Sequence, residues 1–171
     1  MNHFELFDLT PQFELDLSQL AKTYQHLQQL THPDKFATAS EQQRLLAVQK
    51  NAQVNDAYQV LKSPLLRAEY LLELRGVDLK HETSTLQDGA FLMQQMEWRE
   101  QLEDIAASKN IDALEEMDDE IATEIKQQLQ RVHKGLETEG QELQVADLIR
   151  KLKFLYKLRN EIAQIEETLQ D

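Results

Sequence analysis

The chain has no cysteine in its 171 residues. That removes disulfides, thiolate metal sites, cysteine-held clusters and a cysteine nucleophile together. Glycine and proline are scarce, at four and three residues. An all-β fold needs both for its turns, and a phosphate-cradling loop needs glycine. Positive charge is also short: 18 Lys and Arg face 31 Asp and Glu, a net of −13. Phosphate backbones and anionic lipid surfaces would repel such a chain, so neither nucleic acid nor membrane is expected as a partner. No run approaches the roughly 18 apolar residues that a bilayer span requires. The start, Met1-Asn2-His3-Phe4-Glu5-Leu6, has neither the basic residues nor the apolar stretch of a signal peptide. What remains is an all-α protein of the cytoplasm, long enough for one ordinary domain or two small ones.

Punctuation and charge divide the chain. Residues 1–78 carry seven bases and ten acids, whereas 79–171 carry 11 and 21. Apolar periodicity lapses between Arg75 and Ser84, and Gly76 suits the left-handed position just beyond a helix. The expected organisation is a first domain over 1–76, a linker over 77–86 and a second domain over 87–171. Four helices are expected in the first domain. A short one covers 2–8. The next is capped by Asp16, with Gln19 completing a capping box, and bears Leu17, Leu20, Tyr24 and Leu27 on one stripe. It must end near Thr31, because Pro33 pushes His32 out of helical geometry. A third follows Ser40, with Gln43 as reciprocal partner, through Val54, Ala57, Tyr58 and Leu61. A fourth follows Ser63, with Pro64 at its first position, where a missing N–H costs nothing. The second domain reads as three long helices. One covers about 88–107, and one starts near Asn110 or Asp112 and follows Leu114, Met117, Ile121, Ile125, Leu129, Val132 and Leu136. The last starts after Gly140 and follows Val145, Ile149, Leu152, Tyr156, Ile162, Ile165 or Glu166, and Leu169. Short connections between long helices imply an antiparallel three-helix bundle.

His32-Pro33-Asp34, followed by Lys35-Phe36, places an imidazole and a carboxylate at a helix exit. Proline fixes its own φ and extends the preceding residue. Taken alone, the tripeptide is a helix terminator and a solvated turn. No serine or second carboxylate lies near enough in sequence to make His32 part of a hydrolytic triad. Its context is more specific. Phe4, Phe7 and Leu9 precede it, and Asn55-Asp56-Ala57-Tyr58 leads on to Leu61, Pro64, Arg67-Ala68 and Tyr70-Leu71-Leu72. A His-Pro-Asp loop between two helices, followed by this spacing, resembles a J domain, and over essentially the whole chain the sequence resembles the HscB family. That resemblance implies a co-chaperone of iron–sulfur cluster assembly, with no catalytic residue and no cofactor of its own. It implies that His32, Pro33 and Asp34, with Lys35 and Lys22, contact a chaperone ATPase of the HscA/DnaK type and stimulate ATP hydrolysis. J domains usually display several bases on the helix before the loop. This one offers Lys22 and the titratable His26 among the neutral Gln25, Gln28 and Gln29, so electrostatic steering should be weak.

A second feature follows from helix geometry alone. At about 100° per residue, with Phe91 at 0°, Trp98, Leu102, Ile105 and Ala106 fall within about 60° of it. They form the core stripe. Leu92, Met96 and Met93 fall near 100°, 140° and 200°, with Glu97, Glu100, Glu103 and Asp104 among or beside them. Three large apolar side chains on the back of a helix either pack against the first domain or form a protein-binding patch with an apolar centre and a charged rim. The segment also resembles the part of the HscB family that holds the cluster scaffold, IscU. The resemblance implies scaffold contacts at Leu92, Met93, Met96, Glu97, Arg99, Glu100 and Asp104.

A third feature is the run from Arg150 to Arg159, with five bases and no acid. Most of its charges are expected to dock within the chain against residues 97–124, which hold 11 acids and two bases. With Leu152 at 0°, Phe154 falls near about 200° and off the core stripe, and the family resemblance adds it to the scaffold-binding surface. No metal site is expected. A dinuclear carboxylate bundle needs Glu-x-x-His pairs, which are missing, and the five His have no ligand spacing. Animal members of the family carry a cysteine-based metal site that this chain cannot form. The whole reads as a monomeric adaptor for two proteins. An interaction module with an incidental His-Pro-Asp, and an enzyme with its own turnover, are the other classes the residues leave open.

Overall fold

The computed structural model describes residues 1–79 and 88–170. Residues 80–86 of the expected linker, His81 among them, lie outside the described residues. The chain divides into two compact units, Met1–Gly76 and Val77–Asp171.

The first unit holds α1 (His3–Leu6), α2 (Leu17–Thr31), a 3₁₀ turn (Pro33–Phe36), α3 (Glu41–Lys62) and α4 (Pro64–Leu74). Local chemistry sets these bounds. Asp16 caps α2 by accepting from the Gln19 N–H at 3.1 Å, although the return half of the expected capping box does not form. Ser40 and Gln43 do make the full box at the start of α3. Ser63 caps α4 with Pro64 in its first turn. Gly76 follows α4 at φ +90°, a conformation that a side chain would strain. The core gathers Phe4, Phe7, Leu20, Val54, Ala57, Leu61, Ala68, Leu71 and Leu72. Leu17 is exposed rather than on the buried stripe of α2, because it sits in the first turn.

A polar zipper joins α2 to α3. The Tyr24 hydroxyl donates to Asn55 Oδ1 at 2.6 Å. Gln28 Nε2 donates to the Tyr24 oxygen at 2.8 Å, Asn55 Nδ2 to Asn51 Oδ1 at 3.2 Å, and Asn51 Nδ2 to Thr31 Oγ1 at 3.2 Å. The chain of bonds ends one residue before His32, so it fixes the exit of α2. Arg67 has another local task. Its Nη1 donates to the Leu61 carbonyl at 2.6 Å, and its guanidinium lies over Phe13. It thereby takes up a carbonyl that the end of α3 leaves without a helical partner.

The second unit holds α5 (Gly89–Ser108), α6 (Ile111–Glu137) and α7 (Glu142–Gln170). Asp88 caps α5, Lys109 closes it at φ 55°, and Asn110 caps α6. The stripe of α6 is buried as expected, except that Leu129 is half-buried and Gln128 is buried beside it. On α7 the expectation needs correcting: Tyr156 is half-buried, while Leu155 and Leu158 are fully buried. This helix faces two neighbours and buries a wider arc than one stripe. α6 and α7 form the tight hairpin of the bundle. At Gly135 a Cβ would lie 2.6 Å from Val145 Cγ2. Val145 is fully buried and β-branched, so it cannot swing clear. Gly135→Ala should therefore lower stability by about 1–3 kcal/mol, as overpacking does, despite alanine's better helix propensity. Urea denaturation of the two proteins measures the difference.

Candidate protein-binding surfaces

The end of α2 delivers the His-Pro-Asp loop. His32 is extended (φ −62°, ψ 129°), as a residue before proline must be, and the 3₁₀ turn begins at Pro33. His32 Nδ1 accepts from the Asp34 N–H at 3.2 Å. The side chains of His32 and Asp34 are 54% and 92% exposed. A group this exposed does no internal packing, so both are presented to solvent. They edge an open groove of about 430 Å³, which is completed by Gln25, Gln28, Gln29 and Lys35. Lys22 is exposed and continues the row Gln25–Gln29 by one turn. Three of its lining residues are neutral glutamines, whose methylene groups give the groove a largely apolar surface beside the His32, Asp34 and Lys35 side chains. Gln28 also serves the zipper, which sequence reasoning missed because that role depends on Asn55 across the helix pair.

On α5 the two faces separate as the angles require. Phe91, Trp98, Leu102 and Ile105 are buried, and Ala106 is half-buried. Leu92, Met93 and Met96 are 46%, 65% and 71% exposed. All three lie within about a turn and a half of one helix, and Glu97, Glu100 and Asp104 are exposed just beyond them. Methionine side chains are flexible and polarisable, and suit a surface that must fit a partner. Among the described residues no three acids or histidines gather as a metal site.

Phe154 is not off the core, as its angle on α7 suggests. Its ring lies edge-on to Phe91 at 5.8 Å and stacks with Trp98 at 6.2 Å, which leaves it half-buried. The angular expectation failed because α5 covers that side of α7. The guanidinium of Arg99 lies 5.4 Å from the Phe154 centroid and donates to Glu161 of α7. Arg99 thus ties Phe154 to α5 two turns beyond Leu92, on the same side of the helix. At the other end of the patch, Lys151 Nζ lies 3.0 Å from Asp88 Oδ2 and over the Phe91 ring. The Phe91 N–H, and then Lys151, hold the Asp88 carboxyl below its ordinary range. A lowered value means its stabilising charge is complete at neutral pH and is lost only as acid titrates it. The other bases of this run divide their attention. Arg159 reaches Asp118 on α6 at 3.1 Å, within the acidic stretch expected, whereas Arg150 pairs with Asp147 on its own helix.

A family model described as the HSCB C-terminal oligomerisation domain matches residues 87–163. A Pseudoalteromonas atlantica protein named Co-chaperone protein HscB homolog is 60% identical over 174 residues, with 100% of this chain and 99% of that one covered. This chain belongs to the HscB family of co-chaperones. Chaperone HscB from Vibrio cholerae has the same fold at a TM-score of 0.89 and 48% identity, covering 99% of both chains. The human co-chaperone HscB is similar at a TM-score of 0.88 and 28% identity, covering 96% of this chain and 81% of its own. Within the HscB fold the first unit is the J domain and the second is the three-helix bundle. No helix among the described residues is long and apolar enough to cross a membrane.

Proposed function

We propose that the chain is an adaptor in iron–sulfur cluster assembly. Its bundle binds a scaffold protein of the IscU type through Leu92, Met93, Met96 and Phe154, with Glu97, Arg99, Glu100 and Asp104 around them. Its J domain stimulates a chaperone ATPase of the HscA/DnaK type through His32, Pro33 and Asp34, with Lys35 and Lys22 in support. The observation that carries the reading is the exposure of Leu92, Met93 and Met96 on a helix whose own core needs are met by other residues. Burying three such side chains against a partner is worth on the order of 1.5–3 kcal/mol each.

The chain itself performs no reaction and needs no cofactor. Carrying client and trigger on one chain raises the effective concentration of each partner for the other. That logic needs no allosteric link between the surfaces. In this reading the protein works in the cytoplasm as a monomer. Amide chemical-shift mapping tests the division. Adding the scaffold should move signals around 91–104 and Phe154, and adding the ATPase should move those around 22–36. A scaffold footprint on 22–36 would overturn the assignment.

A further inference from the structure

The patch-bearing half of α5 is thinly anchored. Between Phe91 and Trp98 no apolar side chain is buried, and Gln94 and Gln95 face inward only half-buried. Two ion pairs bracket this stretch: Asp88 with Lys151, and Arg99 with Glu161. The paired positions run in the same direction along both helices, spanning about 16 Å on α5 and about 15 Å on α7 at the helical rise. The matched spans show that both pairs form together in one alignment. Their polarity is reversed, with the acid on α5 at one end and on α7 at the other.

We propose that Lys151 and Glu161 are positioning residues, which fix the register of α5 on α7 and so set the geometry of the scaffold-binding patch. A slip of one turn one way would set Asp88 against Asp147 and Arg99 against Lys157, two like-charge encounters. A slip the other way would set them against Leu155 and Ile165, with no charge to meet. Only the observed register satisfies both pairs. Phe154 reinforces it, wedged between Phe91 and Trp98 beneath the Arg99 guanidinium. Arg99 therefore acts on the scaffold through Glu161 and Phe154 rather than by touching it, a narrower part than the contact proposed above, and holds Leu92 and Met96 where a partner can meet them. The inference rests on the patch reading above.

The test is a charge swap read by calorimetric titration of an IscU-type scaffold. Glu161→Arg sets two guanidinium groups together and should weaken binding about tenfold, the size of a typical coupling between neighbours. Adding Arg99→Glu should restore affinity to within about threefold of the parent. If Arg99 is itself a scaffold contact, the double variant stays at least as weak as Arg99→Glu alone, and the positioning role is overturned. Parental affinity in the Glu161→Arg protein overturns it as well. Glu161→Gln, a milder change at a part-exposed site, covers the case in which the charge reversal unfolds the bundle; it should weaken binding about threefold, and parental affinity in it counts against the role. The Leu92→Ala, Met93→Ala, Met96→Ala protein distinguishes the two ideas. If it binds as the parent does, the patch reading fails. If it loses binding while Glu161 variants do not, only the positioning role fails.

Discussion

Replacing Leu92, Met93 and Met96 together by alanine should abolish measurable scaffold binding and leave the bundle as stable as before. Each side chain is about half exposed or more, so truncation opens no cavity, and alanine is the better helix former on a solvent face. At a partner's surface the same side chains would be central and desolvated. Truncating such anchors costs about 2 kcal/mol or more each. Even with losses that fail to add, two such anchors carry a factor of about 10³ in affinity. Isothermal titration with the scaffold and a thermal melt of the free protein give the two halves of the result. A large fall in melting temperature would show these side chains to be core and would remove the patch.

Asp34→Asn should leave a folded protein that no longer stimulates the ATPase. The Asp34 carboxylate is almost fully exposed, with His32 Nδ1 3.6 Å away. The contact from His32 uses the Asp34 backbone N–H, which the substitution keeps. Neither the α2–α3 zipper nor the caps touch it, so circular dichroism should match the parent. Loss of stimulation then reports the charge alone. At a desolvated contact, removing one partner of a charged hydrogen bond costs about 2–5 kcal/mol. Single-turnover ATPase assays over a range of co-chaperone concentration resolve this from a mere shift in affinity. Equal stimulation by variant and parent would make the loop a simple helix terminator. Raising the salt should change the parent's stimulation little, because Lys22 and Lys35 supply little long-range steering.

What the sequence made legible follows from the range of each interaction. Asp16, Ser40, Ser63 and Asn110 mark helix starts because a cap acts on the N–H groups two or three residues away. Pro33 and Gly76 mark ends for reasons held in their own backbone angles. Helical angles separated Phe91 and Trp98 from Leu92, Met93 and Met96, since α5 has one buried face. The same angles misjudged Phe154 and Tyr156. α7 is covered by both α5 and α6, and no periodicity says how wide an arc two neighbours will bury. The ties of Tyr24 to Asn55 and of Arg99 to Glu161 link residues 31 and 62 apart in the chain. Their pairing depends on which helices meet and at what level, which a single sequence does not state. Asn55 and Arg67 belong to the J-domain spacing, yet their work in this structure is internal, one in the zipper and one at the end of α3.

Trp98 is the chain's one tryptophan. It stacks with Phe154, donates its indole N–H to Glu120 and is buried on α5, the helix that carries the exposed methionines. The protein therefore has a native optical label confined to the bundle. Excited near 295 nm, its fluorescence follows events on α5, while the J domain, which has only tyrosines, stays dark. Under the proposed function, a scaffold docking on α5 should change this signal, with no dye attached and no contribution from the first unit.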